Sequence, residues 1–301
     1  MNRRKHFDFA IRKRKYRLGA RTLVMAVVNV TPDSFSDGGL YLEPERAIEH
    51  GLELARQGAD WIDVGGESTR PGAKPISADD ELRRILLVIQ GLRWKLPSLP
   101  ISIDTMKSKV AEEAVRAGAD IINDVSGLSF DPGLADVARR HHTVLILTHM
   151  RHRPENMQKK SFARSIRRSL ENGIGRSIRR ALAAGVPRSK LVIDPGLGFG
   201  KSRRQNYEIL AHLEWLRRFQ LPILSGTSRK SFVRAVLTEG AGNTKKSDLL
   251  KKSRGLPDIQ SGDAAAVAAS ILGGAHIVRI HDVQGLLPAV RFADALLETL
   301  K

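Results

Sequence analysis

Eight short apolar runs recur along this 301-residue chain, each ending at or beside a polar residue, and helix-like stretches follow most of them. Residues 24–30, 61–65, 101–104, 121–125, 144–149, 191–194, 223–225 and 277–281 are β-branched and apolar on both faces. Parallel strands covered by helices read this way. Segments 45–57, 79–92, 107–117, 133–140 and 204–219 carry their apolar residues three and four apart, as in the Leu82, Ile85, Leu86, Ile89 stripe. Residues 262–273 predict an Ala-rich helix that needs close neighbours. At Gly58-Ala59-Asp60, Gly118-Ala119-Asp120 and Gly274-Ala275-His276, glycine stops a helix and the next strand begins at once.

Eight strand–helix units predict an α/β fold, a (β/α)8 barrel occupying residues 21–301 as one domain. Two Rossmann-like domains would need a divide, and no polar or Pro/Gly-rich linker supplies one. The absence of cysteine excludes a disulfide scaffold, a thiolate metal site and a cysteine nucleophile. No apolar run reaches the roughly 18–20 residues of a membrane helix, so the expectation is a cytoplasmic protein without a membrane partner.

The net charge of +18 is confined to three segments: +7 in residues 1–18, +8 in 151–180 and +3 in 239–254. Only Phe7, Phe9, Tyr16 and Phe162 stand among these charges, too few aromatics for a base-stacking platform, so the charges predict solvated surface and no specific nucleic-acid site. Residues 1–20 are accordingly expected to be a basic extension whose removal leaves activity largely intact.

Polar residues fall at one end of every strand: Asn29, Asp63, Asp104, Asn123, Asp124, His149, Asp194, Ser228 and His281. In a barrel those ends share one rim, where active sites are built. Gly196 to Ser202 imitates a phosphate loop, but Pro195 stands where that loop needs glycine. The first strand ends in Asn29, against a histidine-clustered transition-metal centre. Asp104, Asn123 and Asp194 suit a flat, guanidine-like heterocycle. Arg279 and His281 alternate on the last strand as an anion site, and Ser228-Arg229-Lys230-Ser231 opens a helix that suits a carboxylate. An amidine ring, a phosphate or diphosphate and a second anion imply group transfer without a redox cofactor.

Two motifs then carry a specific resemblance. Asn29-Val-Thr-Pro-Asp-Ser-Phe-Ser-Asp-Gly-Gly39 and Asp63-Val-Gly-Gly-Glu-Ser-Thr-Arg-Pro-Gly72 are similar to those of the dihydropteroate synthases, the folate-pathway enzymes targeted by sulfonamides. Ser102-Ile-Asp-Thr105, Ile122-Asn-Asp-Val-Ser-Gly127, Asp194-Pro-Gly-Leu-Gly-Phe-Gly-Lys201, Ser228-Arg-Lys-Ser-Phe232 and Val278-Arg-Ile-His-Asp-Val283 continue the likeness in order. The resemblance implies a TIM-barrel homodimer that condenses 6-hydroxymethyl-7,8-dihydropterin pyrophosphate with p-aminobenzoate, releasing pyrophosphate. It implies that Asp104, Asn123, Asp194 and Lys230 hold the pterin, with Met150 and Phe199 lining its slot and Arg279 stacked on the ring. Asn29, Thr69, Arg279 and His281 then bind the diphosphate, and Asn29 offers an oxygen to Mg2+. Ser231 takes the p-aminobenzoate carboxylate, Phe35, Thr69, Arg70 and Pro71 wall its ring, and Asp37 favours the developing cation. The catalytic set on this reading is Asp37, Lys230, Arg279 and His281.

This chain departs from the family pattern locally. Thr148 precedes His149, Arg151-His152-Arg153 replaces a more usual Gln-Gly-Thr, Gly262-Asp263 stands where Gly-Thr is common, and residues 237–260 form a basic insertion. A pterin-binding methyltransferase barrel and a non-catalytic paralogue are the competing readings.

Overall fold

The computed structural model describes residues 4–12, 14–30, 42–159, 162–238 and 257–300. An antiparallel hairpin, β1 (Phe7–Ile11) and β2 (Arg14–Leu18), comes first. Eight parallel strands follow: β3 (Leu23–Asn29), β4 (Trp61–Gly65), β5 (Ile101–Asp104), β6 (Ile121–Asp124), β7 (Val144–Thr148), β8 (Leu191–Asp194), β9 (Leu224–Ser225) and β10 (Ile277–Ile280). They lie in the order β8-β7-β6-β5-β4-β3-β10-β9, and a parallel bridge between Ile193 and Ile223 joins the two ends of that order. The expected (β/α)8 barrel is the observed fold, with several strand boundaries moved by one residue.

Helices α1 (Leu42–Arg56), α2 (Ala78–Lys95), α3 (Ser108–Ala117), α4 (Gly133–Arg140), α5 (Ile166–Ala183), α6 (Arg203–Ala211), α7 (Ser231–Thr238), α8 (Pro257–Gly273) and α9 (Val283–Glu298) cover the sheet. The single helix expected over 204–219 is two pieces, α6 and a 3-10 segment from Leu213 to Phe219. Buried Leu213 and Leu216 sit three residues apart there, the repeat that a 3-10 turn brings onto one face.

Period-two alternation sorts the strand residues. Val24, Ala26, Val28, Ile62, Val64, Ile101, Ile103, Leu145, Leu147, Ile193, Val278 and Ile280 join the outer core, with the buried stripes of the helices. The other parity faces inward, and its lower layer is apolar: Leu23, Met25, Trp61, Ile121, Val144, Ile146, Val192, Leu224 and Ile277 form a second cluster. Two residues further along several strands, the same parity turns polar. Trp61 is followed by Asp63, Ile121 by Asn123, Val192 by Asp194 and Ile277 by Arg279.

The hairpin corrects the expectation of a solvated extension. Phe9, Ile11 and Leu18 are buried against the inner apolar layer, so β1 and β2 cover the end of the barrel opposite the rim. Tyr16 meets Trp61 edge-on at 6.2 Å. Several of the basic residues are tethers. Arg4 is buried, donates to Thr22 Oγ1 at 2.6 Å and Ala275 O at 2.9 Å, and pairs with Asp294 at 2.6 Å. Arg12 pairs with Asp120, and Lys190 donates to Ala10 O at 2.8 Å. Alternating Phe7, Phe9 and Ile11 were the signal, and the surrounding charge hid it. The basic stretch 151–180 behaves as read, with Arg176, Arg179 and Arg180 exposed on α5 over buried Ile174, Ile178 and Ala181. Most of the expected insertion, residues 239–256, lies outside the described residues.

Leu18 is fully buried in this closure. Leu18→Ala is expected to lose about 2–5 kcal/mol of stability, and deletion of residues 1–18 more, both read as a lowered Tm in thermal unfolding. An unchanged Tm on deletion would return the segment to the status of a dispensable tail.

Candidate active site

Inward parity and strand register together gather the polar layer. The β5–β6 register sets Asp104 beside Asn123, the β7–β8 register sets Thr148 beside Asp194, and β3–β4 pairs Asn29 with Gly65. Arg279 reaches across the top of the barrel from β10. Its Nε donates to Asp63 Oδ2 at 2.6 Å and one terminal nitrogen donates to Asp104 Oδ2 at 2.8 Å. Asn123 Nδ2 donates to the same Asp63 oxygen at 3.1 Å. Asp63 Oδ1 and Asp104 Oδ1 are buried without a hydrogen-bond partner among the described residues. Such acceptors are costly to bury, so they suit a ligand that brings N–H groups.

Burial dominates the electrostatics. It pushes Asp104 up to about 7, although the Arg279 charge pulls the other way. It lifts Asp194 to about 6, opposed by the Gly196 N–H at 2.6 Å and by Lys230. Lys230 is pushed down to about 8 by burial and by Arg279, and its Nζ stands 4.2 Å from the centre of the Phe199 ring. Burial and the nearby Arg279, Arg229, Lys230 and Arg70 charges hold His281 neutral. The rim is therefore poised: carboxylates that gain from a donor ligand and cations that gain from an anion.

The loops above the strands are tied down from below. Lys201 is buried, and its Nζ donates to Gly196 O at 2.7 Å, His149 O at 2.9 Å and Phe199 O at 3.1 Å. Three donors meet three carbonyls, joining the loops after β7 and β8. Gly196 has φ +65 there, and a Cβ would sit 2.1 Å from His149 O, so only glycine fits. After β4, Glu67 accepts the Ile76 N–H and pairs with Lys107 at 3.0 Å, while Lys107 also pairs with buried Glu81 at 2.6 Å. Gly72 N donates to Pro154 O at 2.9 Å, linking the loops after β4 and β7.

The structure brings Asp104, Asn123, Asp194, Phe199, Lys230, Arg279 and His281 to one rim through the contacts above. Met150 follows β7 and is half-buried, and Asn29 ends β3 half-buried. Thr69, Arg70 and Pro71 lie on the tethered loop after β4, Thr69 half-buried and the other two exposed, with the Arg70 charge felt at His281. Ser231 is the exposed first residue of α7. Phe35 and Asp37 lie outside the described residues. No group of three or more His, Asp or Glu among the described residues could hold a metal ion by itself. Residue patterning gave no specific role to Asp63, which anchors Arg279, nor to Lys201; the parity that puts Asp63 above Trp61 could have revealed the first.

Comparison with known proteins agrees with this geometry. The profile of the family described as pterin binding enzyme matches residues 25–281. A dihydropteroate synthase of Bacillus subtilis is 40% identical over 284 residues, covering 92% of this chain and 89% of the relative. A sulfonamide complex of the Yersinia pestis dihydropteroate synthase superposes with TM-score 0.84 at 36% identity, covering 97% of this chain and 100% of that one. The Xanthomonas albilineans dihydropteroate synthase with 4-aminobenzoic acid gives TM-score 0.83 at 37% identity, with 97% and 98% covered.

Asp194 is ionised at pH 8 at a cost in folding free energy, because burial raises it from an ordinary 3.8 to about 6. That penalty is present above about pH 6 and vanishes as pH falls toward 3.8. Asp194→Asn keeps an acceptor for the Gly196 N–H and removes the charge, so it is expected to raise Tm at pH 8, by an increment that shrinks below pH 6. Thermal unfolding across that range checks both sign and trend.

Proposed function

The chain belongs to the dihydropteroate synthases of the pterin-binding enzyme family, and on that premise we propose which of its residues hold each reactant. It condenses 6-hydroxymethyl-7,8-dihydropterin pyrophosphate with p-aminobenzoate, giving 7,8-dihydropteroate and pyrophosphate in folate biosynthesis. The observation that carries the assignment is the set of buried acceptors at Asp104, Asn123 and Asp194 beneath the Lys230 and Arg279 cations. A pterin presents ring and amino N–H groups on one edge, and Asp104 and Asp194 accept them. Asn123 supplies a carboxamide, Lys230 donates to the ring, and Met150 and Phe199 line the slot. Arg279 stacks on the pterin face from the position its two carboxylate partners fix.

The diphosphate lies toward Asn29, Thr69, Arg279 and His281. When the methylene C–O bond breaks, its electron pair goes to the pyrophosphate oxygen, and Arg279 and His281 hold the charge that appears there. The pterin methylene is left as a resonance-stabilised cation facing buried carboxylates. The p-aminobenzoate nitrogen then attacks it, forms the C–N bond and releases a proton. Ser231 at the start of α7 takes the p-aminobenzoate carboxylate, and Thr69, Arg70 and Pro71 line its approach. Phe35 and Asp37, from the motif outside the described residues, complete the ring wall and favour the cation.

Mg2+ fits the donor set, since a single hard oxygen from Asn29 beside a diphosphate suits an ion that keeps most of its waters. Asn29 would hold it beside the diphosphate, where it would supply further charge neutralisation for the leaving group. The working unit on this reading is a cytoplasmic homodimer acting on small molecules, with no specific nucleic-acid partner; light scattering on a gel-filtration peak checks the dimer.

A coupled assay of pyrophosphate release with both substrates tests the whole reading, and no turnover would leave a substrate-binding paralogue. Asp194→Asn puts an amide donor against ring donors and is expected to weaken pterin binding by about 2–4 kcal/mol. Calorimetric affinity within twofold of wild type would remove Asp194 from the pterin site. A second expectation concerns order. Bound pterin and Mg-pyrophosphate supply part of the surface that p-aminobenzoate meets, so its affinity depends on their being present. Titrated into the free enzyme, p-aminobenzoate is expected to give little heat, and a pterin with Mg-pyrophosphate to tighten it markedly. Equal affinity with and without pyrophosphate would show a preformed subsite.

A further inference from the structure

The Ser228 hydroxyl stands between partners with opposite demands. Asp263, 5% exposed on α8, accepts from Ser228 Oγ at 3.2 Å and takes the Arg229 N–H on both carboxylate oxygens, at 2.9 and 3.1 Å. On the other side, the His281 backbone N–H and its ring Nδ1 each lie 3.4 Å from the same serine oxygen. Both contacts stand at the long end of hydrogen-bond distance. Their direction is nevertheless decided. Burial pushes the Asp263 carboxyl up and the Arg229 N–H and Ser228 hydroxyl pull it down; in its ionised form it only accepts, so the one serine proton goes to Asp263 and only lone pairs remain for His281. The ring can meet those lone pairs only with a proton on Nδ1.

We propose that Asp263 is a positioning residue which, through Ser228, fixes His281 in the Nδ1–H tautomer and turns Nε2 over to the departing diphosphate. This rests on the reading of His281 as a diphosphate ligand. The polarity of the chain has a chemical consequence. With Nδ1–H already donated to serine, Nε2 can take a proton from solvent when the anion arrives, and the ring then offers a charge-assisted N–H. Burial and the charges of Arg279, Arg229, Lys230 and Arg70 oppose that proton, so solvent supplies it only once the anion beside the ring offsets them. With the reverse polarity, serine would donate to Nδ1 and the ring could not become doubly protonated without breaking the chain. Asp263 also receives the N–H of Arg229, held at φ +59, and so keeps the turn that delivers Lys230 over Phe199. Among the family departures, Gly262-Asp263 is thus the one with an assigned task.

Asp263→Asn tests the chain in the full-length protein. The Arg229 N–H lies 2.9 Å from the Oδ2 that faces Ser228 and 3.1 Å from Oδ1, so the amide that makes Ser228 donate to His281 also meets that N–H and leaves it the remaining oxygen alone. Nitrogen-15 NMR of imidazole-labelled protein is expected to show His281 change from Nδ1–H to Nε2–H. The Kd for Mg-pyrophosphate should rise about tenfold, with Tm lowered by the contact that the Arg229 N–H loses. Ser228→Ala, which removes the link without touching Asp263, should mix the tautomers and weaken pyrophosphate similarly. His281→Ala separates the two levels of the argument. If it leaves pyrophosphate affinity unchanged, the site reading falls and this inference with it. If His281→Ala weakens pyrophosphate but Asp263→Asn changes neither tautomer nor affinity, only this inference falls. Lost affinity without a tautomer change in Asp263→Asn also overturns it, leaving Asp263 as a turn scaffold.

Discussion

The ion pairs of Arg279 with Asp63 and Asp104 are the constraint around which the barrel is arranged. Three strands, β4, β5 and β10, meet through one guanidinium in a place where an isolated carboxylate would be neutralised. Asp63 is wholly buried and Asp104 nearly so, and neither could stay in this layer without a cation within reach. The fork geometry of Arg279 serves both at once and leaves one oxygen of each unspent. Those two oxygens are what make the layer a site. Burial sets where Lys230, Asp194 and His281 protonate, and the Arg279 charge contributes at each, so removing Arg279 would alter groups it does not touch.

Much of this was legible in the chain. Strand positions, the barrel and the rim followed from period two and period 3.6, because a parallel strand is apolar on both faces until it reaches the rim. The N-terminal hairpin was illegible for a definite reason. Phe7, Phe9 and Ile11 alternate as a strand should, but Arg12, Arg14 and Arg17 beside them read as a solvated tail. Composition cannot distinguish a cation in water from one like Arg4, enclosed by Thr22, Ala275 and Asp294. Lys201 was hidden differently: once Pro195 ruled out a phosphate loop, nothing in the glycine-rich motif gave it a task, whereas its three donors are consumed by backbone carbonyls.

That use of Lys201 shows how a rim of loops is held without a large core of its own. A lone ammonium, the Glu67–Lys107–Glu81 bridge and the Gly72–Pro154 hydrogen bond each fasten loop backbone to a neighbour. Buried polar contacts of this kind fix direction as well as distance, which apolar contacts cannot do. The polar upper layer and the apolar lower layer therefore divide one barrel between specificity and cohesion.

The closure of the lower layer also bears on how the polypeptide is made. Synthesis proceeds from the amino end, and domains form as their segments emerge. Arg4 and the hairpin leave the ribosome before the barrel strands, yet Arg4 is secured by Ala275 and Asp294, 271 and 290 positions later. Those partners emerge after seven of the eight barrel strands. Until then Phe9, Ile11 and Leu18 lack the complete apolar layer that buries them, so the closure of the barrel's lower end is among the last contacts the chain can make.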